Sequence, residues 1–250
     1  MIELQDLHKS FGTRKAVDGV SFIARDGQIT GLLGANGAGK TTTLRMLYTL
    51  MQPDQGRVLV DGLDAREQPM AVRARLGVLP DARGLYRRLS ARENIAYFAA
   101  LQGMPASLAR ARIDALVARL DMADIADRWT EGFSQGERLK TAIARALVHE
   151  PGNVVLDEPT TGLDVLGTRN LRELLRGLQA EGRCVLFSTH IMQEVAALCD
   201  HIVIIARGRV VADGTPEALR EQAQQQNLEE AFIRLIATTS EGQLSAGQLS

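Results

Sequence analysis

The sequence predicts an α/β fold: a mixed sheet core with an antiparallel β subdomain and a helical subdomain. Three observations lead there. Strand-like segments with one helix fill residues 1 to 64, and βα alternation returns after residue 150. Between them, from about 85 to 150, three helical patterns follow in succession. A glycine-rich loop, "GANGAGKT", joins a short apolar run to a helix in the first part. A mainly helical insertion inside a parallel-sheet domain is the simplest layout with this order. We expect one domain over residues 1–225, its helical subdomain at about 85–150. A C-terminal docking helix and a flexible tail should occupy 226–250.

Taken in order, "IELQDLH" and "AVDGVSFIA" read as strands flanking "KSFGTRK", where Gly12 suggests a turn. "GQITGLLG" is a short buried strand, "KTTTLRMLYTLM" a helix closed by Pro53, and "GRVLVDG" a further strand. The helical stretch holds "ARENIAYFAALQGM", "SLARARIDALVARLDM" and "GERLKTAIARALVHE". Ser134 and Glu137 form a Ser-x-x-Glu capping box before the third, yet Gly136 sits in its first turn, where glycine costs stability. Alternation returns with "NVVLDEP", "TRNLRELLRGLQAEG", "CVLFSTH", "MQEVAALCD" and "HIVIIARG". Finally "NLEEAFIRLIA" puts Leu228, Ala231, Phe232 and Leu235 on one face, suited to docking on its own domain, before a Ser/Gly/Gln tail expected to fray.

Composition narrows the function. With 29 basic and 30 acidic residues the net charge is −1, which argues against nucleic acid as a partner. Cys184 and Cys199 lack metal-ligand spacing and read as reduced thiols in a cytoplasmic protein. No segment reaches 18 uninterrupted apolar residues, and the N-terminus alternates like a strand instead of a signal peptide. A cytoplasmic chain is expected, reaching a membrane only through a partner.

"GANGAGKT" matches G-x-x-x-x-G-K-[ST] between strand and helix, the setting of a P-loop NTPase. Backbone N–H groups from Gly34, Ala35, Asn36, Gly37, Ala38, Gly39, Lys40, Thr41 and Thr42 can wrap phosphates at a helix start, the glycines keeping Cβ atoms away. Lys40 supplies charge to the β/γ oxygens, and the Thr41 hydroxyl can ligate Mg²⁺. "NVVLDEPTTGLD" ends a strand at Asp157, placed to approach Mg²⁺, and at Glu158, a candidate general base for the attacking water.

Phosphate loop, then Ser134-Gln135-Gly136-Glu137, then "LDEPTTGLD", then "STH" ending at His190: this order resembles the ATP-binding cassette (ABC) ATPases from residue 2 to about 220. The resemblance implies head-to-tail pairing of two cassettes, each ATP lying between one subunit's phosphate loop and the other's signature segment. Gly136 would then admit the partner's γ-phosphate to the helix N-terminus, with Ser134 as hydrogen-bond donor and Glu137 closing the segment. It further implies that Phe11 stacks on adenine, that Asp164 couples the two sites, and that His190 contacts the γ-phosphate and orders Glu158. The family usually reads Leu-Ser-Gly-Gly-Gln where this chain has Phe133 to Glu137. It also carries a Gln where this chain has Asp81; we expect Asp81 to assume the metal-side role. "LPDARGLYRRLSARENI" and "LEEAFIRL" resemble more narrowly the NatA-type, sodium-efflux branch, implying an exporter subunit with a separate integral membrane permease and a second, identical cassette. The motifs carry no information on cargo, so a drug, a lipid or another substrate stays open beside Na⁺. A soluble ABC ATPase outside transport is the same-fold alternative. A signalling GTPase would need the Asn-Lys-x-Asp that this chain lacks.

Overall fold

The computed structural model describes residues 1–81 and 84–246. Strands β1 (Ile2–Phe11), β2 (Arg14–Ala24), β4 (Gln55–Val60) and β5 (Leu63–Asp64) form an antiparallel sheet in the order β2-β1-β4-β5. Strands β3 (Ile29–Leu33), β6 (Leu76–Leu79), β7 (Asn153–Asp157), β8 (Cys184–Thr189), β9 (His201–Ala206) and β10 (Arg209–Gly214) make a second sheet, ordered β10-β9-β3-β8-β7-β6. All its pairings are parallel except β10 on β9. The mixed sheet and the separate antiparallel one are those that the sequence predicts.

Strand periodicity divides the core in two. Along β7, β8 and β9, alternate residues turn to opposite faces, and nearly all are apolar because both faces are covered. Val154, Leu156, Val185, Phe187, Ile202 and Ile204 join one buried cluster. That cluster continues into helices α6 (Val165–Ala180), α7 (Met192–Leu198), α8 (Pro216–Ala223) and α9 (Leu228–Ala246). Val155, Cys184, Leu186, Val203 and Ile205 face the other way, against the antiparallel sheet, α1 (Lys40–Leu47) and α2 (Pro69–Arg75). On α9, Leu228, Ala231 and Leu235 are buried and Phe232 packs partly buried on the same cluster.

Between β6 and β7 the chain forms α3 (Ala91–Leu101), α4 (Ala106–Arg119), a 3₁₀ turn (Thr130–Gly132) and α5 (Gln135–Leu147). Two capping boxes start its helices, Ser90 with Glu93 on α3 and Ser134 with Glu137 on α5. The segment ahead of α3 is tied from three sides. Buried Asn94 accepts from the Tyr86 N–H at 2.9 Å and donates to the Ser90 carbonyl at 2.9 Å. The Thr130 hydroxyl donates to the Tyr86 carbonyl at 3.0 Å. Arg145, buried on α5, donates to the Gly84 carbonyl at 3.0 Å, its guanidinium 4.3 Å above the Phe98 ring.

Three boundaries differ from the sequence reading. Helix α1 stops at Leu47 and not near Pro53, because Thr49 adopts φ +63°. The Leu50 N–H then reaches the Arg45 carbonyl, and the Thr49 N–H the Met46 carbonyl, the two bonds of a Schellman stop. Helix α6 begins at Val165, three residues before the apolar pattern, because Asp164 caps it by accepting the Gly167 N–H at 2.7 Å. Helix α9 runs to Ala246, through residues read as tail; 247–250 lie outside the described residues.

The α3 packing has a measurable consequence. Ile95 is 0% exposed and Leu101 63%. Ile95→Ala is expected to cost about 2–5 kcal/mol of unfolding free energy and Leu101→Ala less than about 0.5 kcal/mol, read by chemical denaturation. Equal losses would contradict this placement of α3.

Candidate active site

The phosphate loop runs between the end of β3 and the start of α1, and its glycines answer to close backbone contacts. A Cβ on Gly34 would lie 2.4 Å from the Ile205 carbonyl oxygen, and one on Gly39, at φ +112°, 2.6 Å from the Ala16 carbonyl oxygen. The loop is thereby pressed on β9 and β2, and its outer face opens on a cleft of about 560 Å³. Asn36, Gly37, Gly39, Lys40, Thr41 and Thr42 line it. Gly34, Ala35 and Ala38, the other residues of the loop, do not line it. Lys40 Nζ donates to the Gly34 carbonyl at 2.7 Å and lies 3.4 Å from that of Ala35.

Lys40 is buried, and its ammonium stands 3.2 Å from Glu158 Oε1. Glu158 Oε2 in turn lies 2.9 Å from His190 Nδ1. A strand end (Glu158), a helix start (Lys40) and a β8 terminus (His190) thus deliver three charged or titratable groups into one cleft. Glu158 holds φ +47°, a left-handed conformation uncommon for a residue with a Cβ, at a functional position where such strain recurs.

Asp157 is buried at the base of the cleft. It accepts from the Ser188 hydroxyl at 2.5 Å and the Thr41 hydroxyl at 3.3 Å, both on Oδ1. Its Oδ2 is buried with no partner. Burial is the main cause that raises its carboxyl above the ordinary aspartate range; the two hydroxyls oppose the rise, and the charges of Asp81 and Glu158 add to it. An orphaned carboxylate oxygen beside a hydroxyl, with Asp81 also on the cleft, is an all-oxygen donor set that fits a hard cation such as Mg²⁺. Among the described residues no group of three or more His, Cys, Asp or Glu could hold a metal by itself. Phosphate oxygens and water would have to complete such a shell.

Phe11, 50% exposed at the end of β1, forms one side of the cleft with Arg14 and Ala16. The sequence reading missed Arg14, Ala16 and Thr161, which also line it, and the hydroxyl of Ser188. Arg14 and Ala16 come in by the β1–β2 hairpin and Ser188 by the β7–β8 pairing, whereas Thr161 follows Glu158 within "LDEPTTGLD".

Ser134, Gly136, Glu137 and Asp164 do not line this cleft. Ser134 and Glu137 close their capping box, the Ser134 N–H reaching Glu137 Oε2 at 2.6 Å, and that bond holds the Glu137 carboxyl below its usual range. Gly136 has φ outside the left-handed region, and a Cβ there would meet nothing within 4 Å. Among the described residues no close contact calls for glycine at that position.

Known proteins share this arrangement. Residues 17–161 match the ABC transporter family. The ABC transporter ATP-binding protein NatA of Bacillus subtilis (strain 168) is 44% identical over 238 residues, covering 93% of this chain and 97% of that protein. The Nod factor export ATP-binding protein I of Burkholderia orbicola (strain AU 1054) is 40% identical over 220 residues, 88% of this chain and 72% of that protein. A solved ATP-binding subunit of an ABC transporter superposes with a TM-score of 0.87 at 30% identity, covering 94% of this chain and 99% of that one. On its phosphate loop, its paired acidic residues and these likenesses, the chain belongs to the ABC transporter family, as an ABC-type ATPase.

Proposed function

We propose that this chain powers an exporter, hydrolysing Mg²⁺-bound ATP as one of two identical cassettes beneath a separate integral membrane permease. The observation that carries the catalytic part is the Lys40–Glu158–His190 relay in the cleft. Without nucleotide, Glu158 is the counter-ion of Lys40. A triphosphate supplies oxygens that take its place, which frees a Glu158 oxygen to accept the proton of the attacking water, while His190 keeps the other oxygen aligned. Water attacks the γ-phosphorus, the bond to the ADP oxygen breaks, and Glu158 holds the proton. Thr41, Asp157 and Asp81 would hold Mg²⁺ on their side of the cleft, where it would supply positive charge against the charge that develops on the phosphates. Phe11 offers a face for adenine.

The dimer rests on what the cleft leaves out. Ser134, Gly136, Glu137 and Asp164 do not line the chain's own cleft, and a Cβ on Gly136 meets nothing within 4 Å among the described residues. A second copy presenting its phosphate loop gives that glycine a use: backbone N–H groups at the α5 start meet the neighbour's γ-phosphate. ATP held by both copies favours the closed pair, and hydrolysis releases it.

Among the described residues no helix is long and apolar enough to cross a membrane. With a permease as partner, the chain would work on the inner face of the cell membrane. Export is favoured by the relative whose name includes Nod factor export. Na⁺ as cargo rests on the similarity to NatA. Co-purification of a permease from membranes, then ATP-driven sodium uptake into inverted vesicles, tests both; movement of another solute alone would refute Na⁺.

Glu158→Gln is expected to retain ATP binding, lower turnover at least about 100-fold and trap a dimer on gel filtration, whereas Lys40→Ala loses nucleotide binding. A Glu158→Gln chain that stays monomeric in saturating Mg-ATP would contradict the paired site. Gly136→Ala should stabilise the isolated chain by up to about 1 kcal/mol in denaturation, from helix propensity alone, while weakening that ATP-driven dimer. Asp81→Asn should raise the Mg²⁺ concentration needed for half-maximal ATPase activity; an unchanged Mg²⁺ profile removes Asp81 from the metal side.

A further inference from the structure

Ser188 lies on β8, fully buried, two residues before His190. A serine hydroxyl has one proton to give and lone pairs to accept with, and here both are committed. It donates to Asp157 Oδ1 at 2.5 Å and accepts the Glu158 N–H at 3.0 Å. The Ser188 carbonyl oxygen also faces that N–H, at 3.2 Å. One residue on the neighbouring strand therefore grips two consecutive acidic residues whose tasks differ.

Each grip has a geometric result. With Ser188 and Thr41 both on Oδ1, the carboxylate plane of Asp157 is fixed and its other oxygen, Oδ2, is left buried and without a partner. That is the oxygen free for a cation. At Glu158, two acceptors from one residue hold the N–H of a backbone in the left-handed region, where the carboxylate is turned to Lys40 on one side and His190 on the other. A strained backbone persists when its surroundings over-determine it.

We propose that Ser188 is a positioning residue for ATP hydrolysis: its hydroxyl aims Asp157 at the Mg²⁺ and holds Glu158 in the conformation that presents its carboxylate to water. This rests on the roles given above to Asp157 and Glu158. Ser188 is buried and does not line the cleft, so its effect appears in metal affinity and turnover, and not in the grip of the phosphate loop on nucleotide.

The test uses the full chain with Ser188→Ala, fluorescent mant-ADP as the probe, and wild type alongside. In EDTA, mant-ADP affinity should stay within about two-fold of wild type, because the phosphate-loop contacts do not involve Ser188. The Mg²⁺ concentration that saturates the mant-ADP signal should rise several-fold, and kcat should fall about ten-fold with KM for ATP little changed, the scale of one hydrogen bond to a charged group. Wild-type kcat and Mg²⁺ midpoint in Ser188→Ala would overturn the proposal. Loss of mant-ADP binding in EDTA would overturn it too, since a general structural role would then suffice. If Ser188→Ala does not fold, Ser188→Cys weakens the same bonds without emptying the site; it should shift both quantities in the same direction, and wild-type values there would equally refute the idea. A wild-type chain that hydrolyses no ATP would instead count against the assignment of Glu158.

Discussion

The site depends on a buried ammonium whose counter-ion is also the proposed base. Lys40 has left water, and an unpaired charge in that place would be costly. The Gly34 carbonyl dipole and the Glu158 carboxylate offset that cost in the nucleotide-free chain. In the proposed reaction a phosphate chain takes over that role with more charge, so nucleotide entry exchanges one partner of Lys40 for another. The exchange ties occupancy of the cleft to the freedom of Glu158.

Holding Lys40 there requires backbones closer than side chains permit. Gly34 against Ile205 and Gly39 against Ala16 leave no room for a Cβ, so the loop is clamped between the parallel sheet and the antiparallel hairpin that also carries Phe11. The two-sided core does the rest. Apolar residues alternating on β7 and β8 bury both faces, which fixes the ends of those strands and with them Asp157, Glu158 and His190. Catalytic alignment follows from strand registry: Asp157 pairs with Ser188 across β7 and β8.

Local chemistry was readable from the sequence where it was dense. The phosphate loop carries its glycines, lysine and threonine in eight consecutive residues, and the capping box of α5 needs only Ser134 and Glu137. The same box on α3, from Ser90 and Glu93, was equally present as Ser-x-x-Glu and unread. The stop of α1 was harder, because Thr49 takes the conformation that glycine usually marks. Ser188 sits inside the "STH" segment, yet its spacing there does not single it out: its contact with Asp157 comes from registry with a strand 31 residues away in the chain. Arg14 enters the site by hairpin pairing with Phe11, again a relation of space and not of spacing.

Arg145 joins the helix that begins at Ser134 to the segment that follows Asp81, through the Gly84 carbonyl and the Phe98 ring. Asn94 and Thr130 fasten the same segment to the surrounding helices. These links pack the Gly84–Tyr86 segment, the start of α3 and the helix α5 that begins beyond Ser134 into one unit. On the proposed function, a tug from the membrane side and a nucleotide presented by a neighbour would thus meet one packed body.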